Sequence, residues 1–137
     1  MSLVVDASVA LKWYLVEAES AAALALLQGS EPLLAPQLIV SEICNAAWKL
    51  WRRDEIDADQ VSEIARSVGG HFAAPLFDMR SLAQRAGQLA TQLDHPASDC
   101  FYLALAEREA AQVITADGKL VRKLAGTPFS ALARRLT

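Results

Sequence analysis

Apolar residues recur along this chain in two patterns: short unbroken runs, and longer segments in which they return every three or four positions. The short runs are typical of buried strands and lie at residues 3–5, 33–35, 74–77, 112–115 and 129–132. The longer segments predict amphipathic helices and cover residues 9–15, 19–28, 36–53, 58–68, 79–93, 97–110 and 118–124. This alternation predicts an α/β fold with a central, mostly parallel sheet and helices on both faces.

Several of the predicted helix ends carry signals of their own. Asp57 is a suitable N-cap, whereas Gly29 and Gly69-Gly70 are typical of positions where a helix stops. Pro36 suits the first turn of the helix that follows it. Asp94-His95-Pro96 separates two segments that would otherwise form one helix. These signals divide the chain into short elements, with no internal repeat and no linker.

Length and composition limit the class of protein. The chain has 137 residues, of which 53% are hydrophobic and 21% charged, so we expect one domain over residues 1–137 and exclude a disordered chain. No apolar stretch reaches the roughly 20 residues of a membrane span, and residues 1–6 lack the basic start of an export signal. Cys44 and Cys100 match no metal or redox spacing. We expect them to be free thiols in a cytoplasmic protein.

The charge balance argues mildly against a general nucleic-acid-binding module. Thirteen Lys and Arg residues stand against 16 Asp and Glu, for a net charge of −3, whereas proteins that hold nucleic acid through its phosphates usually carry a basic surplus. If this chain acts on RNA, its affinity must come from a local basic patch and from a bound metal.

Two carboxylates follow the two clearest strands. Asp6 comes directly after residues 3–5, and Asp117 comes shortly after residues 112–115. Ligands of α/β proteins bind beyond the carboxyl ends of the strands, which is where both side chains are expected. For either residue alone, a role as turn residue or N-cap is an equally good interpretation, but the occurrence of two favours a functional role.

Two further carboxylates lie on predicted helices. Asp99 shares a helical face with Leu103, and an inward-facing ionised group is costly unless something pairs with it; a first-turn or N-cap role is the alternative. Glu42 borders the apolar stripe of its helix, with Asn45 close by on the polar side. Taken alone, Glu42 is more typical of a solvated helix residue.

If the four carboxylates converge, they need a counter-charge. At about 5 Å and an effective dielectric near 20, each ionised pair repels by roughly 3 kcal/mol, while a folded domain is stable by only about 5–15 kcal/mol. An all-oxygen set of ligands suits Mg²⁺ or Mn²⁺ and argues against Zn²⁺. Such an ion can activate a water for phosphodiester hydrolysis. Spacing alone leaves the convergence open.

The segments around these four acids have a recognisable form. They read VDASVALKW (residues 5–13), SEICNA (41–46), SDCFYLALA (98–106) and TADGKL (115–120). In this order they resemble the four motifs of the PIN-domain family, in its VapC branch of toxins from toxin–antitoxin pairs. The resemblance covers nearly the whole chain.

The resemblance implies a site, an activity and partners. It implies a site for Mg²⁺ or Mn²⁺ whose ligands are Asp6, Glu42, Asp99 and Asp117. It further implies that three neighbouring residues orient these ligands, namely Ser8, Asn45 and Thr115. The activity it implies is endoribonucleolytic cleavage of structured RNA of the tRNA or rRNA class. A cognate antitoxin would hold the enzyme silent, and a homodimer is the usual assembly.

The residues after the first strand also exclude two other kinds of protein. A phosphoacceptor receiver domain needs adjacent acidic residues after the first strand, and a phosphatase of the haloacid-dehalogenase type needs Asp-x-Asp there; Ala7 and Ser8 exclude both. Two alternatives stay open: a PIN fold that has lost catalysis and serves as a binding partner, and a PIN ribonuclease outside a toxin–antitoxin pair.

The remaining conspicuous residues have structural interpretations. Neither histidine lies in a recognisable nucleophile–base arrangement, and the tryptophans are expected in the core or in a dimer contact rather than stacked on RNA bases. The basic pairs are expected to be solvated. These residues are His71, His95, Trp13, Trp48, Trp51, Arg122-Lys123 and Arg134-Arg135.

Overall fold

The computed structural model describes residues 1–137 and contains four strands and seven helices. The strands are β1 (Leu3–Val5), β2 (Leu33–Leu34), β3 (Gln112–Thr115) and β4 (Ala133–Arg135). The helices are α1 (Ala7–Ala10), α2 (Ser20–Gln28), α3 (Leu38–Arg52), α4 (Ala58–Ser67), α5 (Met79–Leu93), α6 (Ala97–Arg108) and α7 (Gly118–Leu124). Short 3₁₀ turns cover Leu11–Trp13, Val68–His71 and Ser130–Leu132.

The strands form a single sheet in the order β2-β1-β3-β4, and all three pairings are parallel. β1 lies at the centre, where Val5 pairs with Ile114 of β3, and all of its residues are buried. Such runs of apolar residues are typical of strands covered on both faces. The predicted α/β architecture, a parallel sheet between layers of helices, is confirmed.

Helix α6 packs against α5 on one side and against β1 and β3 on the other. It is therefore buried around most of its circumference, from Cys100 to Ala106, rather than along the single stripe that its apolar spacing suggested. Its first turn emerges from the core, and this turn carries Asp99. The packing of α6 thus places an acidic residue at the end of the sheet.

Two predicted strands were wrong. Residues 74–77 make only one isolated bridge, between Pro36 and Phe77. The pairing does not extend beyond that contact, so no strand forms there. Residues 129–132 contain a 3₁₀ turn, and the edge strand comes immediately afterwards as β4. Only Ala133 of β4 is buried, so this strand has no apolar run by which it could be recognised.

Several helix boundaries also differ from the prediction. The first helix begins at Ala7 rather than at residue 9, because the side chain of Asp6 caps it. Pro36 precedes α3 instead of lying in its first turn, since its backbone takes part in the bridge to Phe77. Gly69-Gly70 lie within a 3₁₀ turn that continues from α4. The other predicted stops hold, and Gly29 follows the last residue of α2.

Two smaller findings bear on the expectations from composition. Cys44 and Cys100 are both free thiols. None of the seven helices combines the length and the apolar character that crossing a membrane requires.

Candidate active site

One pocket, at the carboxyl ends of β1 and β3, brings the four predicted acids together from four different elements. Asp6 follows β1, Glu42 lies on α3, Asp99 lies in the first turn of α6, and Asp117 follows β3. The three predicted neighbours line the same pocket, together with Lys49 of α3; these neighbours are Ser8, Asn45 and Thr115.

Asp6 is both the N-cap of α1 and part of the pocket wall. Its Oδ1 accepts hydrogen bonds from the backbone N–H of Val9 at 3.2 Å and from the hydroxyl of Ser8 at 2.6 Å. Burial raises the pKa of Asp6, hydrogen bonds from Ser8 and Thr115 oppose that rise, and the negative charge of Asp99 adds to it. The capping role and the pocket role, which the sequence left as alternatives, are therefore combined in one side chain.

The neighbours of Asp6 connect the two central strands. Ser8 Oγ accepts a hydrogen bond from the N–H of Ala116 at 3.0 Å and lies 3.4 Å from Thr115 Oγ1. Thr115 Oγ1 in turn accepts from the N–H of Asp117 at 3.1 Å. These bonds fix the turn after β1 against the turn after β3. Asn45 makes no side-chain hydrogen bond and remains exposed at the pocket.

Glu42 is held by a residue to which the sequence analysis gave no role. The hydroxyl of Tyr102 donates a hydrogen bond to Glu42 Oε1 at 2.6 Å, and Tyr102 is only 1% exposed. Burial raises the pKa of Glu42, the bond from Tyr102 lowers it, and the charges of Asp99 and Asp6 raise it again. The available signal was the position of Tyr102 on the same helical face as Asp99, because a buried tyrosine hydroxyl usually has a polar partner.

The remaining two acids lie nearer to solvent. Asp99 Oδ2 is 2.7 Å from His95 Nε2, and its side chain is 44% exposed. His95 lies before the first residue of α6, outside the helix, so helical spacing gave no signal for this pair, which sequence reasoning missed. Asp117 caps α7, where its Oδ1 accepts from the N–H of Lys119 at 2.9 Å, and it is exposed.

The pocket suits a divalent cation in its donor chemistry. All four carboxylates supply hard oxygen ligands, and unfavourable burial of negative charge raises the pKa of both Asp6 and Glu42. In the present arrangement, no three His, Cys, Asp or Glu side chains lie close enough together to hold a metal ion. The hydroxyl of Tyr102 and the N–H of Lys119 engage one oxygen each, of Glu42 and of Asp117 respectively, and leave the second oxygen of each carboxylate available to an ion.

A sequence model described as the PIN domain matches residues 3–125. The chain belongs to the PIN-domain family. The family expected from the four motif segments is thereby confirmed, and the match includes all four acids that line the pocket.

One relative of this PIN domain carries a functional name. The chain is 29% identical over 124 residues to a protein of Pyrobaculum aerophilum named Ribonuclease VapC3, a match that covers 90% of this chain and 95% of that one. This relative is named as a ribonuclease of the VapC type, the branch that the motifs resemble.

Solved structures share the fold. A toxin–antitoxin complex from Klebsiella pneumoniae superposes with a TM-score of 0.68 at 18% identity, covering 99% of this chain and 97% of the other. VapBC2 from Rickettsia felis, solved bound to a DNA fragment from its promoter, superposes with a TM-score of 0.71 at 13% identity and full coverage of both chains. At these identities the likeness concerns the fold.

Proposed function

We propose that this PIN domain is a metal-dependent endoribonuclease of the VapC type, the toxin of a toxin–antitoxin pair. The observation that carries the proposal is the convergence of four carboxylates, from four elements, on one pocket in which Asp6, Glu42 and Asp117 have no cationic partner. The name of the relative from Pyrobaculum aerophilum supports the activity.

Each pocket residue has a definite part in this proposal. Asp6, Glu42, Asp99 and Asp117 hold one or more divalent ions, Mg²⁺ or Mn²⁺. When bound, the ion lowers the pKa of a water and neutralises charge that develops on the phosphodiester. Ser8 and Thr115 fix the orientation of Asp6, and Asn45 is available to contact either the substrate or a bound water. Hydrolysis proceeds without a covalent intermediate in this proposal, because the hydroxyl of Ser8 donates to Asp6 and accepts from the N–H of Ala116, which gives it a structural part.

The partners proposed here follow from the same site. An enzyme that cuts cellular RNA must be blocked during growth, and the toxin–antitoxin complex with the same fold supports a protein inhibitor. An arginine or lysine inserted among the four carboxylates would supply the missing positive charge in place of the metal. We further propose structured RNA of the tRNA or rRNA class as substrate, a single domain over residues 1–137, a homodimer, and a cytoplasmic location.

The deciding experiment is induced expression of the chain, with mapping of new RNA ends beside an Asp99→Asn control. The parent is expected to arrest growth and to produce discrete RNA ends, and the control is expected to do neither. The product of a neighbouring gene, co-expressed, should relieve the arrest. The purified parent should cut RNA with Mg²⁺ or Mn²⁺ and stop in chelator.

A melting experiment distinguishes a ligand from a structural cap. In chelator, Asp99→Asn should melt at the same temperature as the parent or higher, because it relieves repulsion while its amide oxygen can still accept a hydrogen bond from His95. Mg²⁺ should stabilise the parent more than the variant. If the parent is harmless and leaves total RNA uncut with Mn²⁺ present, a catalytically silent PIN fold takes the place of the toxin.

A further inference from the structure

Two arginines from different elements meet beside the acidic pocket. Arg122 comes from α7 and Arg135 from β4, and both guanidinium groups approach the Cα of Gly118. A Cβ built at that position would lie 2.6 Å from Nη1 of Arg122 and 3.6 Å from Nη1 of Arg135. The absence of a side chain at Gly118 therefore leaves space in which two positive charges converge.

Neither of these arginines has a carboxylate partner. The arginine–carboxylate pairs of this protein involve Arg66, Arg85 and Arg108. Arg135 donates one hydrogen bond, from Nη2 to the carbonyl oxygen of Ala116 at 3.1 Å, and Arg122 makes no side-chain hydrogen bond. Most of their donors therefore face solvent. Two like charges held near each other without an anion constitute a site with spare affinity for one.

The position of this pair beside the pocket favours one kind of anion. Gly118 directly follows Asp117, which lines the pocket, and Arg135 bonds to the carbonyl oxygen of Ala116, directly before Asp117. The two arginines therefore lie at the rim of the pocket beside Asp117, without being part of its lining. Lys49 of α3, also without a carboxylate partner, lines the same pocket. A strand of RNA whose phosphodiester lies among the carboxylates has further phosphates on either side of that bond. Cations at the rim of the pocket are placed to receive them.

We propose that Arg122 and Arg135 bind a backbone phosphate of the RNA substrate next to the phosphodiester that is cut. This inference rests on the proposed ribonuclease function and names a local basic contact with the substrate for a chain whose net charge is −3. The planar, forked guanidinium matches the oxygens of a phosphate. Because phosphate is common to every sequence, the two arginines add affinity and register rather than base specificity.

The neighbouring residues in the sequence provide matched controls. Arg134 carries the same charge one position before Arg135, but its Nε donates to the side chain of Gln112 at 3.1 Å, towards the amino end of β3. Lys123 follows Arg122 on α7 and is exposed, yet it does not approach Gly118. Each substitution in the pair can therefore be compared with the loss of one equal charge nearby.

The experiment measures binding of a fluorescein-labelled single-stranded RNA of mixed sequence, in chelator and at several salt concentrations. Arg122→Gln and Arg135→Gln should each weaken binding about tenfold. Each should also reduce the slope of log affinity against log salt by about 0.7, the value for one phosphate contact on a single strand. Arg134→Gln and Lys123→Gln should leave both quantities nearly unchanged. In cleavage assays with metal, KM should rise and kcat should hold.

A second variant guards against misfolding, because Arg135 also bonds to the backbone. Arg135→Lys keeps the charge but not the fork, so the salt slope should persist while part of the affinity is lost. The site is overturned if all four Gln variants weaken binding equally, or if only inhibition by a partner protein changes. If the parent neither binds this RNA nor cuts cellular RNA, the proposed function is overturned as well. If a double variant with both arginines replaced still cuts normally, only the arginine site is overturned.

Discussion

Carboxylates have opposite electrostatic surroundings in two regions of this protein. On the outer surface of α5 and α6, Arg85 donates two hydrogen bonds to Glu107, at 2.6 and 2.9 Å. This contact lowers the pKa of Glu107. In the pocket, Asp6 and Glu42 lie among other acids without an arginine or lysine partner, and burial raises the pKa of both.

The difference shows where a cation is missing. The negative charge of Glu107 is already neutralised by Arg85, whereas Asp6 and Glu42 are stabilised only by neutral hydroxyl and N–H donors. Such a pocket is less stable when fully ionised. A bound cation or a proton relieves the penalty. The comparison therefore predicts opposite responses to charge removal and to pH in the two regions.

The largest expected effect is that of Asp6→Asn. The amide keeps the shape of the side chain and remains a good N-cap for α1, but it removes a charge from the pocket. Cleavage of RNA should fall by more than about a hundredfold, beyond what loss of a supporting group around a metal typically costs. In chelator the variant should melt at the same temperature as the parent or higher.

The difference in melting temperature between Asp6→Asn and the parent should depend on pH. Because the pKa of Asp6 is raised in the folded state, protonation favours folding. That stability is fully present below the unfolded value of about 3.9 and is lost as pH rises through the folded value. As pH rises, the melting temperature of the parent should therefore fall relative to that of Asp6→Asn. A variant that is less stable at every pH would show that the hydrogen bonds accepted by the Asp6 carboxylate outweigh the cost of burying its charge.

A smaller effect is expected from Tyr102→Phe, which removes only the hydroxyl that orients Glu42. Cleavage should fall about 10- to 100-fold, as for other groups that support metal ligands, and the affinity for Mn²⁺ measured by calorimetry without RNA should fall with it. Tyr14→Phe is the matched control, since the hydroxyl of Tyr14 bonds to Ser67 Oγ at 2.7 Å, away from the pocket. Both variants should lose about 1 kcal/mol of stability, but only Tyr102→Phe should lose metal affinity.

The smallest effect is expected from Glu107→Gln. Both partners of its ion pair are 37% exposed, so the pair should contribute at most about 1 kcal/mol at neutral pH. The lowered pKa of Glu107 means that this stability is present above the unfolded value of about 4.3 and is lost as pH falls through the folded value. Melting curves of parent and variant should converge in acid, and cleavage should be unchanged. A loss of cleavage would extend the site to this surface.

Much of the fold and the pocket could be predicted from local signals. β1 and β3 are unbroken apolar runs, and α5 ends where Asp94 adopts a positive φ of 50° before His95-Pro96. The four acids could be placed because strand ends and motif order are both visible in one sequence. Their convergence, in contrast, depends on how α3 and α6 pack on the sheet, which no local pattern contains.

What could not be predicted depends on contacts between distant segments. The bond between Glu42 and Tyr102 joins two helices 60 residues apart in sequence. The arginine pair was missed for a related reason. β4 is an edge strand whose exposed positions carry arginines, so its apolar pattern suggested residues 129–132 instead. Without the correct register of β4, Arg135 could not be placed opposite Thr115, and its basic pair was interpreted as solvated.

The hydrogen bond from Ala116 to Ser8 spans 108 residues of sequence, and this separation has a consequence for synthesis. Ribosomes add about 5–20 residues per second, so roughly 5–20 s pass between the synthesis of β1 and that of its central partner β3. Pairing between such distant strands is also slow to form once it becomes possible. A nascent chain therefore carries Asp6 and Glu42 without an assembled pocket, and under the proposed function it cannot act on the ribosome that makes it until β3 and Asp117 have emerged.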